Sequence, residues 1–570
     1  MSEIVIELGT WQYNAGIAGL CNILEKNGIE INIHEDKLIF NSEEELKKAL
    51  ENFEEKYFNY LIEKYEKTLS WYKIVSYKEK LEEIKENFDS FDEIKLKELN
   101  ECIKNMKNIL NFFIRDIKSK NYEKICDLIK EDLNLLPYKE ELKTISIKKD
   151  ESILDKKEDI LKMIDKAMTL IEYYEKGKKY LAGAGAAYKI INNAWSKVCF
   201  LYPQTKEKNF YKDFKDYFID PTISYLDEDK SKYKYECFVC DNKIKNFDND
   251  FSFLNQTGFD TARKPSHAWN FINNIAVCPL CKIIYSCIPA GFNYVYRNGI
   301  FINSNQSLTE LLRVNRLVYE KIYNHNTKNE GNSSLTYRAL AEALKDEKEE
   351  NLKYELADIQ MVRYENEKYY FNILSKNIIK IIKNSKNDLD FLTKAYYKVN
   401  KDDKDKCSVY EEVMKTVLNN QNLFTLIYKL LFYKISRDEN CFFTLKHIMN
   451  ILNINYRILE GVGLMENKEK FNREANAAGY YLRIAYINKK SEHKIPGLCY
   501  RILNGIKTNN SKMVMDTIIN AHMYVETPFS NIIFKMLDSD ENLEQIGYGF
   551  VLGFFYPKQN ENSKTDGGEE

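Results

Sequence analysis

The chain has 570 residues, 44% of them hydrophobic and 30% charged, which is enough apolar material for several folded units. Its 86 acidic residues nearly balance its 84 lysines and arginines, so the net charge gives no indication of a nucleic-acid partner. No stretch approaches about 18 consecutive apolar residues, which excludes a membrane-spanning helix. The first residues, MSEIVIELG, have neither a basic segment nor a long apolar one. We therefore expect a cytoplasmic protein with reduced cysteines.

The first predicted elements form a small α/β arrangement. Residues 4–8 alternate as in a short strand, and residues 29–40 have the pattern of a β-hairpin that turns at Glu35 and Asp36. Between them, residues 11–24 are predicted to be a helix rich in small side chains. A helix start at Ser42 precedes amphipathic periodicity that continues, with breaks, to about residue 176. Residues 1–180 are therefore predicted to be an N-terminal α/β domain with a helical insertion.

Two cysteine pairs stand in the middle of the chain. Cys237 and Cys240 form one CxxC motif, Cys278 and Cys281 form the second, and 37 residues separate them. Two intervening residues let one tight turn direct both sulfurs at a soft divalent ion, and two such turns complete a tetrahedral shell. The expected metal is zinc, in a structural role, because four thiolates leave no open coordination position. The alternative is that these are core cysteines at this spacing by chance. The other eight cysteines are predicted to be core thiols.

The rest of the chain is predicted to be mostly helical. Residues 181–385 form a central α+β domain that contains the four-cysteine zinc module, at about residues 236–300. The segment from Gly183 to Tyr188 lacks the Gly-Lys-Ser/Thr ending of a phosphate-binding loop, and its glycines are better explained by close helix packing. Residues 386–558 are predicted to be a C-terminal helical bundle with breaks that include Pro496-Gly497, and residues 559–570 a disordered tail. The predicted fold class is α+β, predominantly α-helical.

Positive charge is concentrated in two segments. Residues 470–512 have a net charge of +7, and the bases chosen there as candidate nucleic-acid contacts are Arg483, Lys489, Lys490, Arg501 and Lys507. Residues 257–300 carry four bases, Arg263, Lys264, Lys282 and Arg297, among many aromatic residues. Cationic grooves with aromatic platforms are typical of proteins that bind single-stranded nucleic acid. The alternative is a solvated charged face in the first segment and core aromatics in the second.

The sequence shows no catalytic constellation. None of the six histidines has HExxH spacing, and there is no Gly-x-Ser-x-Gly motif. The many carboxylates lie in lysine-rich helical stretches, where ion pairs at the surface are the expected interpretation. We therefore predict that the protein is not an enzyme.

Four patterns together resemble a known family. They are Trp11-x-x-Asn-Ala-Gly-Ile-x-Gly-Leu20, the paired CxxC motifs, Gly479-Tyr-Tyr-Leu-Arg483 and Gly497-Leu-Cys-Tyr-Arg-Ile-Leu-Asn504. In this combination the chain is similar to the CXXC–CXXC large subunit of the type I-B CRISPR Cascade. The resemblance extends over nearly the whole chain, and the helical insertion at about residues 45–175 is its least distinctive part.

The resemblance implies a non-catalytic subunit of an RNA-guided surveillance complex in antiviral defence. Its implied partners are CRISPR RNA, target double-stranded DNA and the displaced strand, the Cascade backbone and 5′-handle-capping subunits, small subunits and a helicase-nuclease. The large subunit of such complexes binds the guide's 5′ handle, recognises the protospacer-adjacent motif, helps to unwind the target and participates in recruiting the helicase-nuclease. The C-terminal bundle would resemble the small subunits that line the displaced strand.

Two other classes of protein fit parts of the sequence. A zinc-dependent nucleic-acid-processing enzyme would need an open coordination site and a nearby general base, and the four-sulfur shell argues against it. A purely structural scaffold would leave the basic segment at 470–512 as a solvated surface.

Overall fold

The computed structural model describes residues 3–88, 91–116, 121–147, 153–259, 275–295, 298–305, 307–324, 337–338, 340–341, 359–400, 406–436, 438–464 and 470–555. The chain divides into two units. The first comprises Met1–Leu317 and Met361–Phe371, and the second comprises Val318–Gln360 and Asn372–Glu570. The predicted tail at 559–570 lies outside the described residues, and so do Arg263 and Lys264.

Helices make up most of both units. The helices of the first unit are α1 (Trp11–Lys26), α2 (Glu43–Leu50), α3 (Phe53–Tyr65), α4 (Ser70–Val75), α5 (Lys78–Glu86), α6 (Glu93–Asp116), α7 (Asn121–Leu133), α8 (Lys157–Lys176), α9 (Lys178–Gly185), α10 (Asn192–Ala194), α11 (Phe210–Phe214), α12 (Asp220–Asp227), α13 (Pro279–Ser286) and α14 (Ile288–Gly291). The boundary between the units falls within α15 (Leu308–Asn324). The second unit continues with α16 (Lys376–Asn384), α17 (Lys386–Leu392), α18 (Val409–Leu418), α19 (Phe424–Ser436), α20 (Leu445–Gly461), α21 (Lys470–Asn488), α22 (Ile495–Lys507), α23 (Ser511–Val525), α24 (Asn531–Phe534) and α25 (Asp540–Phe554).

The strands form small sheets, and every pairing with a stated register is antiparallel. The strands of the first unit are β1 (Ile4–Glu7), β2 (Asn32–His34), β3 (Lys37–Phe40), β4 (Tyr235–Glu236), β5 (Lys243–Ile244), β6 (Asn293–Val295) and β7 (Asn298–Ser304). The boundary between the units falls within both β8 (Ile359–Glu365) and β9 (Lys368–Leu374). The second unit adds β10 (Tyr396–Tyr397), β11 (Cys407–Ser408) and β12 (Cys441–Phe442). The strand orders are β1-β3-β2, β4-β5, β6-β7-β8-β9 and β11-β10-β12. The predicted α+β, predominantly helical class is confirmed.

Local sequence patterns account for the N-terminal elements. The predicted strand, helix and hairpin are present as β1, α1 and β2-β3, with Ile4 opposite Phe40. The Oγ of Ser42 accepts a hydrogen bond from the backbone N–H of Glu45 at 3.2 Å, which caps α2 as the sequence predicted. Pro496 does not interrupt the bundle, because it lies in the first turn of α22, where its missing N–H has no intrahelical partner to lose.

Glycines bring α1 into backbone contact with the two helices that follow the second CxxC motif. A Cβ on Gly16 would lie 2.3 Å from the carbonyl oxygen of Ile284, and a Cβ on Gly19 would lie 2.0 Å from that of Cys287. The approach is reciprocal, since a Cβ on Gly291 would lie 1.9 Å from the oxygen of Ala15. The small residues of the N-terminal pattern therefore serve helix packing against α13 and α14.

Helix α3 supplies hydrogen-bond donors to carbonyl groups at the ends of the same two helices. Tyr57 donates to the oxygen of Ser286 at 2.8 Å, and the Nζ of Lys64 donates to the oxygens of Ala290 and Phe292 at 2.7 and 2.9 Å. The hydroxyl of Tyr65 is close to the oxygens of Pro289 and Phe292, at 2.8 and 2.6 Å. These carbonyls lie at helix ends, where intrahelical partners run out. Helix α3 thus supplies donors to buried carbonyl groups of these two helices.

Replacing Tyr65 with phenylalanine is expected to lower the free energy of unfolding by about 1–2 kcal/mol, because it leaves the buried oxygen of Pro289 without this donor. Chemical denaturation followed by circular dichroism measures the change. Tyr481→Phe is the matched control, since that side chain is 70% exposed and its hydroxyl is free to bond to water. Equal stability of the two variants would contradict the role assigned to Tyr65.

The second unit has a buried amide network in its core. Asn455 receives a hydrogen bond from the backbone N–H of Leu423 and donates to Gln545, and Gln545 donates to Asn472 and to the oxygen of Leu452. The distances range from 2.6 to 2.9 Å. The network joins α20, α21 and α25, and satisfied buried polar groups of this kind favour one packing arrangement of the helices over alternative arrangements.

Among the described helices, none is long and apolar enough to cross a membrane.

Candidate metal centre and basic surface

The first CxxC motif forms the connection of a short hairpin between β4 and β5. The backbone N–H of Cys237 donates to the oxygen of Asn242 at 2.8 Å, and the N–H of Asp241 donates to the oxygen of Cys237 at 3.0 Å. Asp241 has a φ of +57°, a left-handed conformation that aspartate tolerates better than most residues. The turn therefore holds Cys237 and Cys240 on the same side of the hairpin end.

The second CxxC motif begins a helix. Cys278 is the N-cap residue of α13, its sulfur accepts from the N–H of Cys281 at 3.4 Å, and Pro279 is the first helical residue. Proline is favoured at this position because its fixed φ suits the helix and its missing N–H has no intrahelical partner. Pro279 therefore lies in the first turn of α13.

The four cysteine sulfurs converge, with all of them within 4.8 Å of one another. Cys240 and Cys278 have a sulfur–sulfur distance of 3.7 Å. A tetrahedral zinc with bonds of about 2.3 Å requires sulfur separations of about 3.8 Å, so the donor set fits this ion in chemistry and in size. Cys237, Cys278 and Cys281 are buried, and Cys240 is half-buried. The arrangement is compatible with a metal site that excludes solvent from most of its shell.

Groups around the cluster donate hydrogen bonds to the sulfurs. The backbone N–H of Cys278 donates to Cys237 and the side-chain amide of Asn242 donates to Cys240, both at 3.2 Å. The hydroxyl of Tyr13 lies 3.4 Å from the sulfur of Cys281, and towards a thiolate the hydroxyl is the donor. Such partners orient metal ligands and moderate their charge. Tyr13 belongs to α1, a contribution that sequence spacing did not indicate.

The thiols of the cluster influence each other's ionisation. Hydrogen bonds from the other thiols, first that with Cys240, lower the pKa of Cys237. The contact with Cys237 is the largest of the causes that raise the pKa of Cys278 and of Cys281. One anion in this space opposes the formation of the next, and a divalent cation removes that opposition. The cluster therefore has the electrostatics of a cation site.

The remaining cysteines match the expectation of core thiols in most cases. Six of them are buried, namely Cys21, Cys102, Cys126, Cys199, Cys287 and Cys499. Burial raises the pKa of Cys21 to about 12, so its thiolate is scarce at neutral pH. Cys407 and Cys441 are only half-buried, because they lie on the strands that flank Tyr397 in the β11-β10-β12 sheet.

For the described part of the segment at 257–300, the structure favours the interpretation that its aromatic residues belong to the core. Lys282 is buried, its Nζ donates to Asn249 at 2.9 Å, and it lies 3.8 Å from the centre of the Tyr217 ring. Burial lowers the pKa of Lys282 to about 8, which is the opposite of what a phosphate contact would need. Tyr285, Phe292 and Tyr294 are also buried, so the aromatics of this segment that the structure describes belong to the core.

The basic residues at 470–512 lie on two helices and their connection. Arg483 is half-buried on α21, Lys489 and Lys490 are exposed just after it, and Arg501 and Lys507 are exposed on α22. Lys489 and Lys494 both contact the ring of Tyr524, with Nζ-to-centre distances of 4.7 and 4.1 Å. We call Lys489, Lys490 and Lys494 the lysine cluster.

Arg483 and Lys507 contact different aromatic residues. The guanidinium of Arg483 lies 4.8 Å from the centre of the Tyr480 ring, and Lys507 lies 4.9 Å from that of Tyr428 on α19. Tyr524 and Tyr428 lie outside the charged segment at 470–512, so the sequence analysis did not identify them as partners of the lysines in that segment. Their pairing with cations could have been found only from the tertiary structure.

Comparison with known proteins gives one match. Residues 230–293 match the model of a family described as CRISPR-associated protein (Cas_CXXC_CXXC). The matched segment begins just before β4 and ends at β6, and it contains all four cysteines of the cluster. No curated protein and no solved structure matches the chain significantly. The match supports a CRISPR-associated protein.

Proposed function

We propose that the chain is the large subunit of a type I-B CRISPR RNA-guided surveillance complex, in which it contacts DNA without cutting it. One observation carries the proposal: the segment that matches the CRISPR-associated family coincides with the four-cysteine cluster. The N-terminal helix that bears the Trp11–Leu20 pattern packs directly on α13 and α14, which follow that cluster. Two of the patterns that carry the resemblance thus meet in one part of the fold.

The four cysteines would hold a structural zinc ion. When bound, zinc supplies a closed tetrahedral crosslink between the β4-β5 hairpin and the start of α13, with no position left for substrate. That crosslink fixes both ends of the 37-residue insert that carries Arg263 and Lys264. We assign this insert to contacts with the DNA next to the protospacer-adjacent motif or with the guide's 5′ handle.

Sequence recognition in such a complex belongs to the guide RNA. Exchange of a DNA duplex for an RNA–DNA hybrid is nearly balanced in free energy, so modest protein contacts to the flanking duplex and the displaced strand decide whether it proceeds. The exposed bases Lys489, Lys490, Arg501 and Lys507, with Arg483, are suited to phosphate contacts of this kind. We assign them to the displaced strand.

The remaining partners follow from the same proposal. They are CRISPR RNA, the Cascade backbone and handle-capping subunits, small subunits and the helicase-nuclease, all in the cytoplasm. The subunit itself is non-catalytic, so the purified chain should leave DNA uncut with or without added divalent metal.

The decisive experiment neutralises four bases together, by Lys489→Gln, Lys490→Gln, Arg501→Gln and Lys507→Gln, in the assembled complex. We expect target binding and strand opening to weaken at least tenfold, because fewer counterions are released from DNA. The dependence of affinity on salt should also become shallower. Filter binding across a salt series and permanganate footprinting of the opened strand measure the two effects.

A matched control neutralises lysines elsewhere in the second unit. The same amount of charge is lost when glutamine replaces four lysines on α16 and α17, namely Lys376, Lys380, Lys383 and Lys386. Their replacement should leave strand opening unchanged. If the first variant opens targets like the wild type, the basic segment is a solvated surface and the chain a scaffold. Metal-dependent cleavage by the isolated chain would overturn the non-catalytic assignment.

A further inference from the structure

A small cleft of the second unit is formed by the helices α21 and α23. Its volume is about 290 Å³, roughly that of ten water molecules. Helix α21 forms one wall with Ala478, Tyr481 and Leu482. The end of α23 and the loop after it form the other, with the lining residues His522, Thr527, Pro528, Phe529 and Ser530.

Three of the eight residues that line the cleft carry aromatic rings, and one of these rings is open to solvent. Tyr481 is 70% exposed although it lines the cleft, which is unusual for a large ring that has a groove beside it. The opposite wall is more rigid, because the ring of His522 stacks on Phe529 with centres 4.4 Å apart and an interplanar angle of 29°. A flat ligand could therefore be covered by Tyr481 without displacing the packed wall.

His522, which lines this cleft, has an unsatisfied polar atom. The side chain is only 4% exposed, and its Nδ1 lies 3.0 Å from the hydroxyl oxygen of Thr527. Its Nε2 is buried and has no hydrogen-bond partner among the residues that the structure describes. Burial lowers the pKa of His522, which favours the neutral form of the ring.

The cleft and the lysine cluster share their supporting elements. Tyr481 lies on α21, and Lys489 follows the end of that helix, about 12 Å further along its axis at 1.5 Å per residue. Tyr524, whose ring contacts Lys489 and Lys494, is two residues after His522 on α23. A chain of negative charges bound to the lysines would pass close to the cleft. Planar groups attached to that chain are then the natural occupants.

We propose that the cleft receives one unstacked base of a single-stranded nucleic acid, with Tyr481 on the face of the base and the packed rings of His522 and Phe529 in the opposite wall. The inference rests on the proposed function, since the displaced DNA strand supplies unpaired bases and phosphates together. Stacking on aromatic side chains tolerates any sequence, which suits a subunit that must bind every target. The lysines hold the backbone, and the cleft makes the contact specific for an unpaired strand.

The experiment compares two oligonucleotides that carry equal charge. The full-length chain is titrated into fluorescent (dT)20 and into a 20-mer of the same phosphates in which every base is missing, with anisotropy as the readout. We expect the wild type to bind (dT)20 about tenfold more tightly, within the range of base–aromatic stacking. Tyr481→Ala should remove this preference by weakening only the binding of (dT)20. It should not affect folding, because the side chain is largely exposed.

Two further variants separate the cleft from the charges. Lys489→Gln with Lys494→Gln should weaken the binding of both oligonucleotides by the same factor, so that the preference for the oligonucleotide with bases remains. Phe442→Ala is the aromatic control, since Phe442 is 47% exposed on β12 and does not line the cleft. It should bind both oligonucleotides like the wild type.

The outcomes distinguish the two proposals. If the wild type binds both oligonucleotides equally, or if Tyr481→Ala retains the preference, no base enters the cleft and this inference fails while phosphate binding stands. A cleft that receives a side chain of a protein partner would give that result. If neither oligonucleotide binds, or if the lysine variants bind like the wild type, the assignment of the displaced strand to this surface fails as well.

Discussion

Replacing Cys278 and Cys281 together with serine is expected to abolish metal binding and to unfold the segment around residues 230–293. The wild-type chain should contain about one zinc per molecule, and the double variant none, because two remaining thiolates cannot complete the shell. Structural zinc contributes about 10–16 kcal/mol of binding free energy in zinc-finger peptides, more than any single packing contact supplies. Elemental analysis of purified protein measures the loss.

The serine substitutions separate metal loss from helix capping. Serine is a strong N-cap residue, so at position 278 it keeps the cap on α13 that Cys278 provides. Limited proteolysis should then show new cleavage in the first unit, while the helices of the second unit remain protected. Cys407→Ser is the control, because Cys407 is half-buried and outside the cluster. Full zinc content in the double variant would refute this set of ligands.

The effect of metal loss should spread beyond the cluster to α1. Helix α1 contacts the cluster through Tyr13 and packs on α13 and α14 through Gly16 and Gly19. Helix α3 bonds to the ends of the same two helices. The segment after the second CxxC motif is therefore enclosed by the N-terminal residues of the chain. Metal binding and the folding of residues 1–65 should be coupled, and protection of α1 from hydrogen exchange is the observable.

Features with a local cause could be predicted from the sequence. Alternation at residues 4–8 and the cap at Ser42 depend on neighbouring residues, and β1 and α2 are where these patterns indicated. The CxxC motifs are also local, since each turn needs only four residues to place two sulfurs. The two motifs could be expected to converge, because each supplies two ligands and a tetrahedral ion needs four.

Features that depend on contacts distant in the chain could not be predicted. Lys64 has the sequence context of a surface base on an amphipathic helix, yet it is buried and donates to carbonyls more than 220 residues away in the chain. Lys282, which was counted among the four bases of the segment at 257–300, is buried in the same way. In both cases the apolar stem gives no local sign of burial, and the partner groups are backbone oxygens, a side-chain amide oxygen or rings from other parts of the chain. The periodicity of α3 gives one indication that Lys64 is buried, since Tyr57, Lys64 and Tyr65 fall on one helix face.

The candidate nucleic-acid surface was predicted only in part. Net charge identified the segment at 470–512, but charge along a sequence does not say which bases share a surface. Lys489 and Lys494 meet over Tyr524, whereas Lys507 contacts Tyr428 on a different helix. His522 had no motif and could not be chosen from the sequence. Its interest comes from the buried Nε2 and the cleft beside it, and both are properties of the folded second unit.

Adding one methyl group at the crossing of α21 and α25 should destabilise the second unit far more than the same addition at an open helix position. A Cβ on Gly479 would lie 2.1 Å from the oxygen of Phe550, and a Cβ on Gly553 would lie 1.9 Å from the oxygen of Asn476. Both contacts involve backbone atoms, so no side-chain rotation relieves them and the two helices must move apart. Gly479→Ala or Gly553→Ala should each cost about 3 kcal/mol. The midpoint of thermal unfolding of this unit should fall by roughly 6 to 12 °C.

Gly497→Ala is the matched control for this prediction. Gly497 also lies in a helix of the second unit, α22, but nothing lies within 4 Å of the Cβ it would gain. Alanine has the higher helix propensity, so this variant should be as stable as the wild type or up to about 1 kcal/mol more stable. Differential scanning calorimetry on the three variants compares them directly. Similar melting temperatures for Gly479→Ala, Gly553→Ala and Gly497→Ala would mean that the helices are not in backbone contact. The Gly479–Arg483 pattern would then need a cause other than packing, such as direct contact with a partner.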